Sequence, residues 1–166
     1  LIQATCVQPL MLVSLISSDP EVMPDALACL AASAALAVSD IPIQEIISEV
    51  RFGKVNGGMV INPSRSQLAE AEMDFIIAAT ERNIMMVEGK GHECQEEDLI
   101  KAIELAHNAV KIQVSAQREL REKCGAKEKR DYIKPYRNEE LNEKIIAFAK
   151  DKLYAIASSA SAKNER

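Results

Sequence analysis

Metal, phosphate and proton chemistry all need particular side chains at particular spacings, and this chain of 166 residues carries several candidates. His92 and Cys94 stand two apart, and His107 and Cys124 could extend them to a soft-metal set. Their spacing matches no zinc pattern, however. His107 and Cys124 are seventeen residues apart on what reads as one helix, about five turns, so they cannot share an ion. The sequence therefore favours solvated or core roles for all four. Gly89-Lys90-Gly91 resembles a phosphate loop only superficially. It lacks the spacing of a nucleotide-binding loop, and a plain loop before a helix is the expectation. Glu93, Glu96, Glu97 and Asp98 cluster where a helix begins, where they complement the dipole better than they hold a cation. Asp74, in an apolar strand-like run, reads as a polar residue on an exposed strand face, with a functional carboxylate as the sharper alternative.

Basic residues offer a second kind of chemistry. From Arg118 to Arg137 there are eight Lys or Arg against four acids. The part from Lys127 to Arg137 reads as a solvated linker, with RNA contact as its alternative. The whole chain carries a net charge of −5 and a pI near 5.2. That excludes a dedicated nucleic-acid binder resting on a global basic surface. Any RNA contact must be local or made by parts of a longer protein.

The elements that would position these residues follow from periodicity. Residues 4–17 are apolar and β-rich, an expected strand, with Pro9 at an edge or bulge. Ser18-Asp19-Pro20 signals a turn. Pro24 and Asp25 open a helix of small residues that runs to about Val38 and ends near Pro42. So small a surface must lie very close to whatever it packs on. Strands are expected at 49–56 and 58–62, joined at Asn56-Gly57, the dipeptide of a type I′ hairpin turn. A polar loop or short helix fills 63–72. Strands follow at 73–80 and 84–88 across Glu81-Arg82-Asn83. A long helix spans about 96–124, with Leu99, Ile103, Ala106, Val110 and Val114 as its apolar stripe and Gly125 as its C′ residue. After a charged connector at 126–137, Asn138 caps a last helix striped by Leu141, Ile145, Phe148, Ala149, Leu153 and Ile156.

The composition is 48% hydrophobic and 27% charged, which suits a globular protein and excludes a disordered one. No apolar run approaches the roughly 18–20 residues of a membrane span. Cys6, Cys29, Cys94 and Cys124 form no CxxC pair, so a reduced, cytoplasmic setting is expected. Leu1 is not a start methionine, and the chain reads as an internal fragment of a longer protein.

The order strand, small-residue helix, hairpin, two strands, long helix carries a resemblance. At residues 31–36 (Ala-Ala-Ser-Ala-Ala-Leu), 39–42 (Ser-Asp-Ile-Pro), 55–57 (Val-Asn-Gly), 61–63 (Ile-Asn-Pro) and 73–80 (Met-Asp-Phe-Ile-Ile-Ala-Ala-Thr), the chain resembles bacterial polynucleotide phosphorylases, the polyribonucleotide nucleotidyltransferases. The match is to the second half of their first RNase PH-like repeat and covers nearly the whole chain. It implies an α/β (α+β) fold over 1–125, of the RNase PH-like and ribosomal S5 domain 2-like kind, followed by the start of an all-α linker at 126–166. The family's activity is a Mg-dependent, phosphate-consuming 3′→5′ exoribonuclease reaction, reversible as polymerisation. The resemblance further implies RNA as substrate, a homotrimeric ring, and RNA-degradation complex proteins as possible partners.

Carried over residue by residue, the resemblance implies a copy without chemistry. The catalytic repeat of the family has two carboxylates and a lysine in the pattern D-x-x-x-x-x-D-x-K. These fall on Leu68, Asp74 and Ile76. An isolated Asp74 cannot hold a hard cation that wants several oxygens. The serine-rich phosphate turn falls at residues 19–25, which read Asp-Pro-Glu-Val-Met-Pro-Asp, three acids where an anion should sit. The expectation is thus no catalytic, cofactor or metal residue in this segment, with Mg2+ bound elsewhere in the parent enzyme and phosphate as co-substrate. One departure stands at the start: Leu1-Ile2 runs directly into Gln3-Ala4-Thr5, where the family has an Arg/Pro/Phe-containing segment. Two other readings remain, a non-enzymatic RNase PH-like scaffold in an exosome-type ring and an S5-type domain that binds structured RNA. The second needs a basic face.

Overall fold

The computed structural model describes residues 10–131, 138–159, 162 and 164. The described residues fall into two units: the first comprises 10–131, and the second holds the rest. In the first unit the order is α1 (Asp25–Val38), β1 (Ser48–Val55), β2 (Gly58–Ile61), α2 (Arg65–Ala69), β3 (Met73–Ala79), β4 (Ile84–Gly91) and α3 (Glu96–Lys123). In the second it is α4 (Glu139–Ser158). The four strands make one sheet in the order β2-β1-β3-β4, antiparallel throughout. The fold is α+β, as the sequence implies.

Alternation along the strands sets the two faces of this sheet. Phe52 lies opposite Phe75 and Val50 opposite Ile77, so these side chains share a face with Met73 and Ala79. The face packs on α3, whose Ala102, Ala106, Val110 and Val114 complete the core. Val50, Phe52, Met73 and Ile77 are fully buried. Each such side chain contributes roughly 1.5–3 kcal/mol of transfer free energy. The expected α3 stripe holds at Ala106, Val110 and Val114, whereas Leu99 and Ile103 are only partly buried.

The β1–β2 turn is the one foreseen. Val55 pairs with Gly58, and Asn56 and Gly57 both take positive φ, at 50° and 74°. A type I′ turn needs that at both central residues. Residues 63–72 resolve into the short α2, which Ser64 and Gln67 close with a reciprocal capping box. In α1 the residues Ala26, Ser33 and Ala37 are buried, and the helix packs on both β1 and α3. Its small side chains allow that approach.

Three expectations change. The strand anticipated at 4–17 does not form over its described part, 10–17, and Leu10, Leu12, Leu15 and Ile16 are exposed. An apolar β-rich run becomes a strand only when another strand supplies its ladder, and none of β1–β4 pairs with it. Residues 4–9 lie outside the described residues. Next, Gly89-Lys90-Gly91 is neither a loop nor a phosphate cradle, since it is the end of β4. A Cβ on Gly89 would stand 2.6 Å from both Cα and Cδ1 of Phe75, and one on Gly91 would stand 2.7 Å from the Cys94 sulfur. The glycines let β4 run against the core.

The start of the basic connector is also not a solvated linker. The Lys129 ammonium donates to the carbonyls of Leu36, Ala37 and Ser39 at 2.8, 3.3 and 2.8 Å. It thereby satisfies the orphan carbonyls at the end of α1. Burial, and then the nearby Arg121, pull its pKa below the usual lysine range. Arg130 pairs with Asp40 at 2.5 Å. The connector's Lys134 and Arg137 lie outside the described residues. In α4, Asn138 caps the helix by accepting from the Leu141 amide at 3.0 Å, as its sequence suggests. Its apolar stripe is present, and none of its residues is buried.

Candidate functional site

The face of the sheet away from α3 carries the candidate chemistry. Arg51 alternates with Val50 and Phe52 and lies opposite Ile76 on β3. Asp74 is two residues from Ile76 and shares its face. The Arg51 Nε donates to Asp74 Oδ1 at 2.8 Å, and its Nη2 donates to Oδ2 at 3.2 Å, a two-pronged pair. The Nη1 of the same guanidinium pairs with Asp25 at the start of α1. Hydrogen bonding to Asp74, with the charges of both aspartates, raises the Arg51 pKa against the opposing pull of burial. The Arg51 side chain is only 16% exposed and that of Asp74 only 11%. Asp74 is thus a half-buried ion-pair partner rather than a polar residue facing water.

Arg51 is held from its backbone too. Its N–H donates to Asn62 Oδ1 at 2.9 Å, and its carbonyl accepts from the Asn62 N–H at 2.7 Å. Asn62 takes a positive φ of 50°, which Asn tolerates better than most residues. Arg51, Asn62, Asp25, Glu21, Ser64 and Gln67 line a cleft of roughly 300 Å3. The acidic turn at 19–25 forms one wall. Glu21 accepts from the Ser66 N–H at 3.1 Å, and Arg65 donates to the Pro20 carbonyl at 3.0 Å. Hydrogen bonds from Ser66 hold the Glu21 carboxyl below its usual range. Glu21 thereby keeps its negative charge and anchors α2.

Two of the three positions implied by the resemblance converge here, and one does not. Asp74 and Ile76 stand on the Arg51 face of β3, whereas Leu68 lies on α2. The sequence reading missed Arg51 itself. Its signal was a charged residue alternating with Val50 and Phe52, but its pairing with Asp74 depends on β1 lying beside β3. Around the same face, Glu49 carries a raised pKa, caused by burial first and then by Asp25 and Glu88. It stands beside Cys29 of α1, whose thiol is pushed up to about 11 by burial and by Glu49.

The remaining candidates lie elsewhere. His92 is exposed, Cys94 packs at the edge of the core, and Cys124 is exposed. His107 Nε2 meets the Thr80 carbonyl at 3.1 Å, beside the β3–β4 turn. Cys6 lies outside the described residues. Asp98 does more than complement the α3 dipole. Lys54 donates to it at 2.9 Å, which lowers the Asp98 pKa and ties α3 to β1.

A divalent cation does not fit this donor set. Both oxygens of Asp74 accept from a guanidinium, the lysine position is the hydrocarbon Ile76, and the other carboxylate position is Leu68. Mg2+ demands near-octahedral oxygen ligation, which one engaged carboxylate does not supply.

Residues 45–109, from before β1 into α3, match the model of the 3′ exoribonuclease family, domain 2. The chain is 48% identical over 155 residues to the polyribonucleotide nucleotidyltransferase of Christiangramia forsetii, covering 93% of this chain and 21% of that protein. It is 49% identical over 152 residues to that of Parabacteroides distasonis, covering 92% of this chain and 20% of that protein. It is 50% identical over 153 residues to that of Bacteroides fragilis, covering 92% of this chain and 22% of that protein. The chain spans about a fifth of the length of these relatives. Over residues 45–109 the chain is thus similar to the second domain of the 3′ exoribonuclease family, and along nearly its whole length it aligns with part of the polyribonucleotide nucleotidyltransferases.

Proposed function

We propose that this chain is a non-catalytic part of a phosphate-dependent 3′→5′ exoribonuclease that degrades RNA to nucleoside diphosphates and can run in reverse as a polymerase. The names of its relatives support the activity, and favour an enzyme over a free-standing scaffold. The observation that carries the non-catalytic reading is the engagement of both Asp74 oxygens by Arg51. A carboxylate so neutralised cannot also hold a metal against a phosphoryl group. The acidic wall formed by residues 19–25 repels a phosphate in the same cleft.

In this reading the chemistry, with its Mg2+ and phosphate, belongs to another segment of the longer enzyme. This segment serves the self-assembled ring, with RNA and degradation-complex proteins as partners and the cytoplasm as setting. The apolar side chains of Leu12, Ile16 and the β4 residues Ile84–Val87, exposed here, are in keeping with a surface that further protein covers. No described helix is long and apolar enough to cross a membrane.

The test uses the full-length enzyme with Asp74→Asn. Phosphate-dependent release of nucleoside diphosphates from poly(A) should stay within a few-fold of wild type. A fall of about a hundredfold or more with assembly intact is the signature of a lost catalytic group and overturns the reading. So does release of nucleoside diphosphates by the 166-residue chain alone.

A further inference from the structure

Four carboxylates gather on the face of the sheet opposite α3. Asp74 comes from β3 and Glu49 from β1, while Glu88 lies opposite Ile76 on β4 and Asp25 reaches in from α1. One cation stands among them with both its strand neighbours and its backbone fixed. The Arg51 guanidinium spans Asp25 and both oxygens of Asp74, and Asn62 pins its main chain on either side. Lys90, opposite Asp74 on β4, is exposed and reaches neither carboxylate.

We infer that Arg51 is the resident cation of this cleft, occupying the place between Asp25 and Asp74 that a divalent ion would need and so excluding metal from it. The inference rests on the non-catalytic reading above and supplies its physical cause. The guanidinium is a planar fork whose charge is permanent and whose N–H groups match a carboxylate edge. It hydrogen-bonds both aspartates directly. A divalent ion entering the same place would meet a fixed positive charge and no free Asp74 oxygen. With the guanidinium gone, two carboxylates would face one another across a small gap. Two carboxylates completed by waters are an ordinary Mg2+ or Mn2+ set.

Mn2+ binding by the 166-residue chain, read by electron paramagnetic resonance, tests this. Wild type should show no Mn2+ binding that Asp74→Asn removes. Arg51→Met should bind Mn2+ at least about tenfold more tightly than wild type. The gain should vanish in the double variant Arg51→Met/Asp74→Asn, and Arg51→Lys, which keeps a cation, should behave as wild type. If far-UV circular dichroism shows that Arg51→Met does not fold, Arg51→Gln gives the same readout, because it removes the charge and keeps a hydrogen-bond donor. Mn2+ binding by wild type that depends on Asp74 overturns the inference. A folded, uncharged Arg51 variant without a gain overturns it equally. Neither result depends on turnover by the full-length enzyme, so failure of this inference and failure of the functional reading are told apart.

Discussion

The two faces of the sheet are made of the same strands read one residue out of step, yet they do different work. Val50, Phe52, Met73 and Ile77 turn towards α3 and are sealed from water. Glu49, Arg51, Asp74 and Glu88 turn the other way, where Arg51 pairs with Asp74 and with Asp25 of α1 and Glu49 stands beside Cys29. The first face obtains its stability from apolar area, which is non-directional and insensitive to pH. The second depends on one guanidinium set at hydrogen-bond distance from two carboxylates, and its energetics depend on charge and geometry. Apolar burial is therefore concentrated on one face, and charged hydrogen bonding on the other.

This contrast is exposed to measurement, most sharply on the apolar face. Phe52→Ala should cost about 3–5 kcal/mol in urea unfolding, with the same loss at pH 5 and pH 8. A cost under about 1 kcal/mol would mean that the α3 face does not carry the fold. Gly89→Ala comes next, at about 3 kcal/mol, because the atoms its methyl meets include the backbone of Phe75, which cannot swing aside. A neutral result would show that β4 is free to move off the core.

On the charged face, Asp74→Asn should cost about 1–3 kcal/mol, since it leaves the half-buried Arg51 with one aspartate partner. A loss comparable with Phe52→Ala would erase the distinction between the faces. The smallest effect has the opposite sign. Burial and neighbouring acids raise the folded pKa of Glu49, so ionising it costs the folded state. That penalty is absent below about pH 4, the ordinary range of a glutamate, and grows as pH rises through the folded value. Glu49→Gln should therefore raise the melting temperature at pH 7, by the equivalent of under about 1 kcal/mol, and leave it unchanged near pH 3–4. Destabilisation at pH 7 would mean that the Glu49 carboxylate is a favourable partner of Arg51 and not an added burden.

Much of the fold was legible because its signals are local. The Asn56-Gly57 turn, the Asn138 cap, the strands either side of each turn and the α3 stripe each depend on residues a few positions apart. Residues 10–17 misled for the complementary reason: an apolar β-rich run states that a strand is possible and does not supply its partner. Gly89-Lys90-Gly91 misled because glycine signals a loop as readily as a close approach. Only the position of Phe75 across the ladder separates the two. Lys129 and Arg130 read as solvated linker charges, since the α1 carbonyls and the Asp40 carboxylate that receive them lie some ninety residues earlier in the chain.

By itself the sequence determined the order of elements from α1 to α4, the Asn56-Gly57 turn that sets the β1–β2 register, and the family those patterns resemble. It also placed hydrocarbon at Leu68 and Ile76, where the resemblance implies a carboxylate and a lysine in the catalytic repeat. The tertiary structure alone decided what became of Asp74. Its partner Arg51 is 23 residues away and the other partner of that guanidinium, Asp25, is 49 residues away, and they meet only because β1 lies antiparallel beside β3 with α1 across it. Ion pairing falls off with distance and demands geometry, so no local pattern could announce it.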